Sequence, residues 1–307
     1  MIAALAEIFT THRADVHLGI GDDAAVVASP DSRIVVCADV AVEGVHFKRE
    51  WSALEEIGSK ITAANLADVY AMGATPTYLL VTACLPRNIG KAELQSLARG
   101  IKAEADRAGA VVVGGDLSSG SALTLSVTAL GTLPDSEHVI TRSGARPGDL
   151  LIVSSLPGSS AAGLSALMMN MVDGVQDFID LHRKPVVDYA AAQNFARSGV
   201  SSMIDISDGL LSEAHHISTA SGVAIEIDSA LIATSPHFAH LKAGADLISA
   251  DVWDWILTGG EDHVFLATIS GNAPSGALVI GSVKSGSGVS VLGIESRNSL
   301  GFTHFTE

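Results

Sequence analysis

The 307-residue chain has little of several things that would fix a function class at once. Its two cysteines, Cys37 and Cys84, both fall in segments that read as strands, and neither belongs to a Cys-x-x-Cys pair. That argues against a disulfide framework or a zinc site, and it suits a reducing cytoplasm. Apolar runs are short: "YLLVTACL" at 78–85 falls well below the length of a membrane span. Charged residues make up 17% against 48% hydrophobic, so a packed globular core is expected rather than a disordered chain. Basic residues are scarce, with 18 Lys and Arg against 34 Asp and Glu. The net charge of −16 repels nucleic acid and anionic membranes, so neither is expected as a partner. Any phosphate-binding role would therefore need cations from elsewhere, and metal ions held by carboxylates are the natural source.

Common catalytic fingerprints are also missing. "GSSAAGLS" at 158–165 has the glycine spacing of a phosphate-binding loop, but Leu164 stands where the lysine should be. There is no His-Arg-Asp triplet, no Gly-x-Ser-x-Gly elbow and no His-Glu-x-x-His. The pair His215–His216 reads as a helix surface, and Met168–Met169 as core.

What is there alternates between strand-like and helix-like segments, which predicts an α/β or α+β protein. "MIAALAEIFTTHR" has no basic stretch ahead of its apolar residues and no cleavage signature, and is expected to be a first helix. Strands are predicted at 33–40, 77–85, 110–113 and 123–130. A helix at 52–72 has Ser52 and Glu55 as a capping box and Gly73 at its end, and a second at 91–108 closes at Gly109. The loop from Pro134 to Arg146 reads as a domain join, dividing the chain into 1–138 and 139–307. Beyond it come a strand "LLIVSS", a helix at 160–172, a strand at 202–206, a helix at 209–220, strands from 223 on and "HVFLATI" after "TGGED". The segment "GSVKSGSG" at 281–288 reads as a hairpin turn. "VVVGGD" and "ILTGGED" hint at two related halves.

Acids recur at the ends of these elements. Asp22 and Asp23 lie in a glycine turn, Asp39 closes "RIVVCAD", Asp116 follows "VVVGG", and Asp205 and Asp208 flank a strand-to-helix turn. Each residue alone fits a cap or turn role as well as a ligand role. On the helix at 52–72, Ile57, Ile61, Asn65, Asp68 and Met72 fall on one stripe, so Asp68 faces the packed side. A carboxylate there is either hydrogen-bonded or bound to a metal. Oxygen-only ligands would favour Mg²⁺. The run "VVVGGDLSSG" at 111–120 reads as an interior strand that stops at Gly114 and Gly115, with Asp116 just beyond its end.

In order along the chain, "GIGDDAAVV", "VEGVHF", "NLADVYAMGA", "VVVGGD", "SVTALG", "TRSGARPGD", "SSAAGL", "DISDGL" and "TGGED" resemble the signature blocks of the thiamine-monophosphate kinase family. The resemblance runs from about residue 19 to the "GFTHF" tail. It implies the two-domain fold of the aminoimidazole-ribonucleotide-synthetase superfamily, with an N-terminal ATP- and metal-binding domain whose sheet forms a homodimer. It implies ATP as co-substrate, several Mg²⁺ ions, and thiamine monophosphate as acceptor, giving thiamine diphosphate and ADP. Residue by residue, the metal ligands match Asp23, Asp39, Asp68, Asp116, Asp205 and Asp208, with Asp68, Asp116 and Asp205 central to catalysis. ATP contacts match Gly115, Asp116, Arg142 and Ser207, and the thiamine-phosphate site matches His46, Glu261 and Phe302. The chain departs from the family pattern in three places: Cys37 and Ala38 replace hydroxyl residues, "GGDLSSG" lacks an arginine, and His263 replaces a tyrosine. The rival readings are another ATP-dependent enzyme of the superfamily, or a non-catalytic nucleotide- or metal-binding relative. Relatives that use a reactive early or C-terminal cysteine are disfavoured, because Cys84 is the last cysteine.

Overall fold

The structure is a computed structural model that describes residues 16–18, 22–29, 32–134, 136–295 and 300–303. The expected first helix and the end of the tail, from His304 on, lie outside the described residues. The chain divides into two compact units, residues 1–141 and 142–307.

In the first unit, strands β1 (Val16–Leu18), β2 (Ala25–Ser29), β3 (Ser32–Val42), β4 (Thr75–Leu85), β5 (Val111–Ser119) and β6 (Thr124–Pro134) form one sheet. Their order is β1-β2-β3-β6-β4-β5. Helices α1 (Leu54–Ala71) and α2 (Lys91–Ala108) complete the unit, and α2 is the crossover for the parallel β4–β5 pair. Residues of β6 alternate between buried and half-buried, the period of a sheet with one covered face.

Helix α1 is not the one-sided helix its stripe predicts, since thirteen of its eighteen residues are buried. It packs on strands of the sheet and on α2. A Cβ placed on Gly100 of α2 would lie 1.8 Å from the Glu55 carbonyl oxygen, so only glycine lets the helices approach this closely. The N-cap falls one residue later than expected: the Ala53 N–H donates to Glu56 Oε2 at 2.7 Å, while Ser52 is buried.

Strand β5 corrects the reading of "VVVGGD" in two ways. It lies at the sheet edge, with Val111, Val112 and Val113 exposed by 52%, 45% and 57%. It also runs through both glycines and Asp116 as far as Ser119. The register with β4 shifts so that Val113 is the extra residue of a bulge. Gly115 has φ +151°, and a Cβ there would lie 1.8 Å from the Val81 carbonyl oxygen. Backbone packing against β4 thus already requires the second glycine.

In the second unit, β7 (Leu150–Val153), β8 (Ser202–Asp205), β9 (Ala224–Asp228), β10 (Phe265–Ile269), β11 (Leu278–Lys284) and β12 (Gly288–Leu292) form a sheet in the order β12-β9-β11-β7-β10-β8. Its helices are α3 (Ser159–Met169), α4 (Gln176–Arg183), α5 (Tyr189–Arg197), α6 (Leu210–Ser221), α7 (Ser229–Ala233), α8 (Pro236–Ile248) and α9 (Val252–Thr258). Leu151, Val153, Phe178, Ile217, Ile225 and Leu266 belong to its core.

Three expectations fail here. Strands β11 and β12 do not form a hairpin, because both pair with β9, from opposite sides. Between Asp228 and Gly259 the chain is helical where strands were expected. Asp228, Ser235 and Asp251 each accept a backbone N–H at a helix start, from Ala230, His237 and Trp253. Met168 and Met169 end α3 on its outer side and are exposed, not core. The two glycine-acid motifs also differ: "GGD" lies inside β5, whereas "GGED" is a loop after α9. No helix among the described residues is long and apolar enough to cross a membrane.

Candidate active site

In the first unit the turn before β2 and helix α1 bring two acids together. A carboxylate oxygen of Asp23 and one of Asp68 lie within 4.8 Å of each other. The Asp23 N–H donates to Asp22 Oδ1 at 2.9 Å, which fixes the turn before β2. Asn65, buried in α1, ties the helix to β3: its Oδ1 accepts from the Asp39 N–H at 3.0 Å, and its Nδ2 donates to the Ile61 carbonyl. Cys37 sits under this group and donates to the Asn65 carbonyl, 3.3 Å away. Burial, then the Asp68 and Asp39 carboxylates, pushes its thiol well above the usual range. The residue is therefore a neutral donor beside the acids, not a thiolate. Carboxylates this close repel one another unless a proton or a cation lies between them, and the hard oxygen set fits Mg²⁺. Asp116 is placed on the exposed edge strand β5.

His46 stands in the turn after β3, where its Nδ1 accepts the Val42 N–H at 3.0 Å. With Nδ1 accepting, the neutral ring carries its proton on Nε2.

In the second unit a single turn after β8 gathers most of the expected residues. Asp205 is buried at the strand end, and its Oδ2 lies 2.9 Å from His263 Nδ1. The Ser207 carbonyl accepts the Glu261 N–H at 2.7 Å, and the Asp208 carbonyl accepts the Phe302 N–H at 3.0 Å. Glu261 and His263 hold φ of +65° and +52°, a conformation that costs a non-glycine residue energy and persists only where its surroundings enforce it. Arg142 stands apart from this turn by its backbone, since its carbonyl accepts from Ser221 Oγ at the far end of α6.

Three groups near this turn were not assigned from the sequence. Buried His182 has its Nδ1 3.0 Å from Ser160 Oγ and 3.7 Å from Glu261 Oε2. Buried Glu213, in the first turn of α6, accepts the Asp208 N–H on Oε1 at 3.2 Å. Burial, then Asp208 and Asp205, raises its carboxyl well above the usual range. The one sequence signal that could have found Glu213 is an acid in the first turn of a helix, and nothing in the spacing marks His182.

Asp262 is the third. Its Oδ2 and Oδ1 accept the N–H groups of Gly158 and Ser160, at 2.8 and 2.9 Å. The start of α3, where "GSSAAGLS" has its phosphate-loop spacing, therefore already carries an anion. Burial pushes the Asp262 carboxyl from 3.8 to about 6, against those hydrogen bonds. Because the folded value is raised, its contribution to stability is full below the unfolded value and is lost as pH rises through about 6. Asp262→Asn does not titrate. The wild type should therefore lose on the order of 1 kcal/mol relative to this variant between pH 5 and 7. Thermal melts of both proteins across that range check this, and a constant difference would contradict it.

Comparison with known proteins gives these geometries a class. Models of AIR synthase related proteins match the chain, the N-terminal domain over residues 21–133 and the C-terminal domain over 146–268. The chain is 42% identical over 276 residues to thiamine-monophosphate kinase of Mycobacterium tuberculosis, covering 89% of this chain and 81% of that one. To the Corynebacterium glutamicum enzyme it is 39% identical over 269 residues, covering 86% and 80%. A solved structure described as AaThiL complexed with AMPPCP and TMP superposes with a TM-score of 0.89 at 30% identity, covering 99% of this chain and 96% of that one. The chain belongs to the thiamine-monophosphate kinase family.

Proposed function

We infer that this protein transfers the γ-phosphoryl group of ATP to thiamine monophosphate, forming thiamine diphosphate and ADP. The observation that carries this reading is the family membership, at 42% identity over 89% of the chain. The acceptor is a phosphate monoester with a second pKa of about 6, so near pH 7 it is already largely an anionic nucleophile. The chain then needs no general base. Its task is to hold two polyanions in line and to offset their repulsion.

In this reading Asp23, Asp39, Asp68 and Asp116 are Mg²⁺ ligands in the first unit, and Asp205 and Asp208 are Mg²⁺ ligands in the second. Bound there, Mg²⁺ would supply the positive charge that a chain of net charge −16 lacks. Asn65 and Cys37 fix the backbone and carboxylates around Asp39 and Asp68, and His263 orients Asp205. Gly115, Asp116, Arg142 and Ser207 contact ATP. His46, Glu261 and Phe302 receive thiamine monophosphate. The ATP- and metal-binding domain is residues 1–138, and 139–307 is the second domain. The enzyme works in the cytoplasm as a homodimer paired through the first sheet. The apolar edge strand β5, with Leu117 as well as its valines exposed, supports that pairing, because such an edge is ordinarily covered.

An assay of ADP release with and without thiamine monophosphate tests the function. Release that depends on thiamine monophosphate is expected. Release indifferent to it would favour another ATP-consuming enzyme, and none at all a non-catalytic relative.

Phe302 gives a sharper test of the acceptor site. It is 51% exposed, with its backbone pinned to Asp208, so its ring contributes little to the core. An aromatic face on a cationic thiazolium contributes roughly 0.5–2 kcal/mol. Phe302→Ala should therefore weaken thiamine-monophosphate binding by about three- to thirty-fold. ATP affinity and melting temperature should stay near wild type. A parallel loss of ATP binding in a titration, or a melting temperature several degrees lower, would remove Phe302 from the pocket.

A further inference from the structure

We propose that Glu213 is a direct ligand of a divalent cation shared with Asp208, which makes the turn after β8 a two-carboxylate site. Glu213 is 2% exposed, and its Oε2 is buried with no hydrogen-bond partner. The other oxygen, Oε1, already accepts the Asp208 N–H, so that hydrogen bond leaves Oε2 unexplained. An unsatisfied buried carboxylate oxygen is expensive, and in native structures it marks an unseen ion, water or functional strain. The charged groups that bear on Glu213 are the carboxylates of Asp208 and Asp205, both of its own sign. A water could donate to Oε2 but would leave the accumulated charge in place, and a proton on Oε2 would remove the charge but leave a buried O–H with no acceptor in reach, whereas a cation removes both problems at once. The donors are all carboxylate oxygens, which selects a hard divalent ion. The kinase reading assigns Asp208 to a metal and gives Glu213 no part. The inference rests on that reading only for the identity of the ion as Mg²⁺.

The test is made on the full chain stripped of metal, without nucleotide. Mn²⁺ is titrated as the hard-cation probe, and the free ion is counted by its paramagnetic resonance signal. Glu213→Gln keeps an Oε1 acceptor for the Asp208 N–H and removes only the charge and the ligand oxygen. It should weaken one class of Mn²⁺ site about ten- to hundred-fold. In EDTA it should melt at or above the wild-type temperature, because the bare charge is gone. Asp208→Asn should weaken the same site, and the double variant should lose less than the sum of the two effects. Glu213→Asp, which keeps the charge but shortens the reach, should recover part of the affinity and covers the case in which the glutamine variant does not fold. Wild-type Mn²⁺ affinity in a folded Glu213→Gln would overturn the proposal while leaving the kinase reading intact. So would a melting temperature lowered equally with and without Mn²⁺, which marks a capping role alone. Absence of Mn²⁺ binding by the wild type would overturn the metal reading and this inference together.

Discussion

Asp68→Asn should lower turnover by at least about a hundred-fold while the protein stays folded. Asp68 sits on α1 with a carboxylate oxygen within 4.8 Å of one of Asp23 and the Cys37 thiol against it. Asparagine keeps nearly the same volume and can still accept a hydrogen bond from Cys37, so packing hardly changes. What is lost is one negative charge and one hard oxygen. In EDTA the variant should melt at or slightly above wild type, because the repulsion between Asp23 and Asp68 is gone. Added Mg²⁺ should raise its melting temperature less than it raises that of the wild type. Wild-type turnover by a folded Asp68→Asn at ordinary Mg²⁺ would sink the metal role. Lost stability with normal specific activity would make Asp68 a structural hydrogen-bond acceptor.

Gly115→Ala should be among the most destabilising single substitutions in the first unit. The glycine has φ +151°, and its missing Cβ would lie 1.8 Å from the Val81 carbonyl oxygen, an atom of backbone that cannot swing aside. Relief requires β4 and β5 to separate where they are hydrogen-bonded, at a cost of about 3 kcal/mol or more. Thermal denaturation should register this as a fall of roughly 10 °C. The resemblance makes Gly115 a nucleotide contact, and substitution should also hurt ATP binding, but stability should fall even with no nucleotide present. An unchanged melting temperature with a raised KM for ATP would reverse that order of importance.

The contrast between these two positions explains what could be read from the chain. Asp68 was legible because helical periodicity alone puts it on a packed face, and acids on packed faces need a partner. The purpose of Gly115 was not, because its reason is a register shift with a strand more than thirty residues away, which no local pattern encodes. The same limit hid the exposure of "VVV". Three valines look interior, and only the strand order places them on an edge. Long punctuated elements such as α2 were read to the residue. Helices α7 to α9 were missed even though Asp228, Ser235 with Pro236, and Asp251 are cap signals, because short apolar stretches between them resembled strands. In the site, acids at strand ends were visible singly. Glu213 and His182 became visible only once the fold set their side chains beside Asp208 and Glu261.

The most direct test of the central claim follows the transferred atom group itself. Purified protein in excess is mixed with γ-labelled ATP, Mg²⁺ and thiamine monophosphate, and a single turnover is quenched and separated. The account predicts that the label leaves ATP at the rate ADP appears and is recovered in thiamine diphosphate, with no release when thiamine monophosphate is omitted. Label recovered as inorganic phosphate, at the same rate with and without thiamine monophosphate, would contradict it.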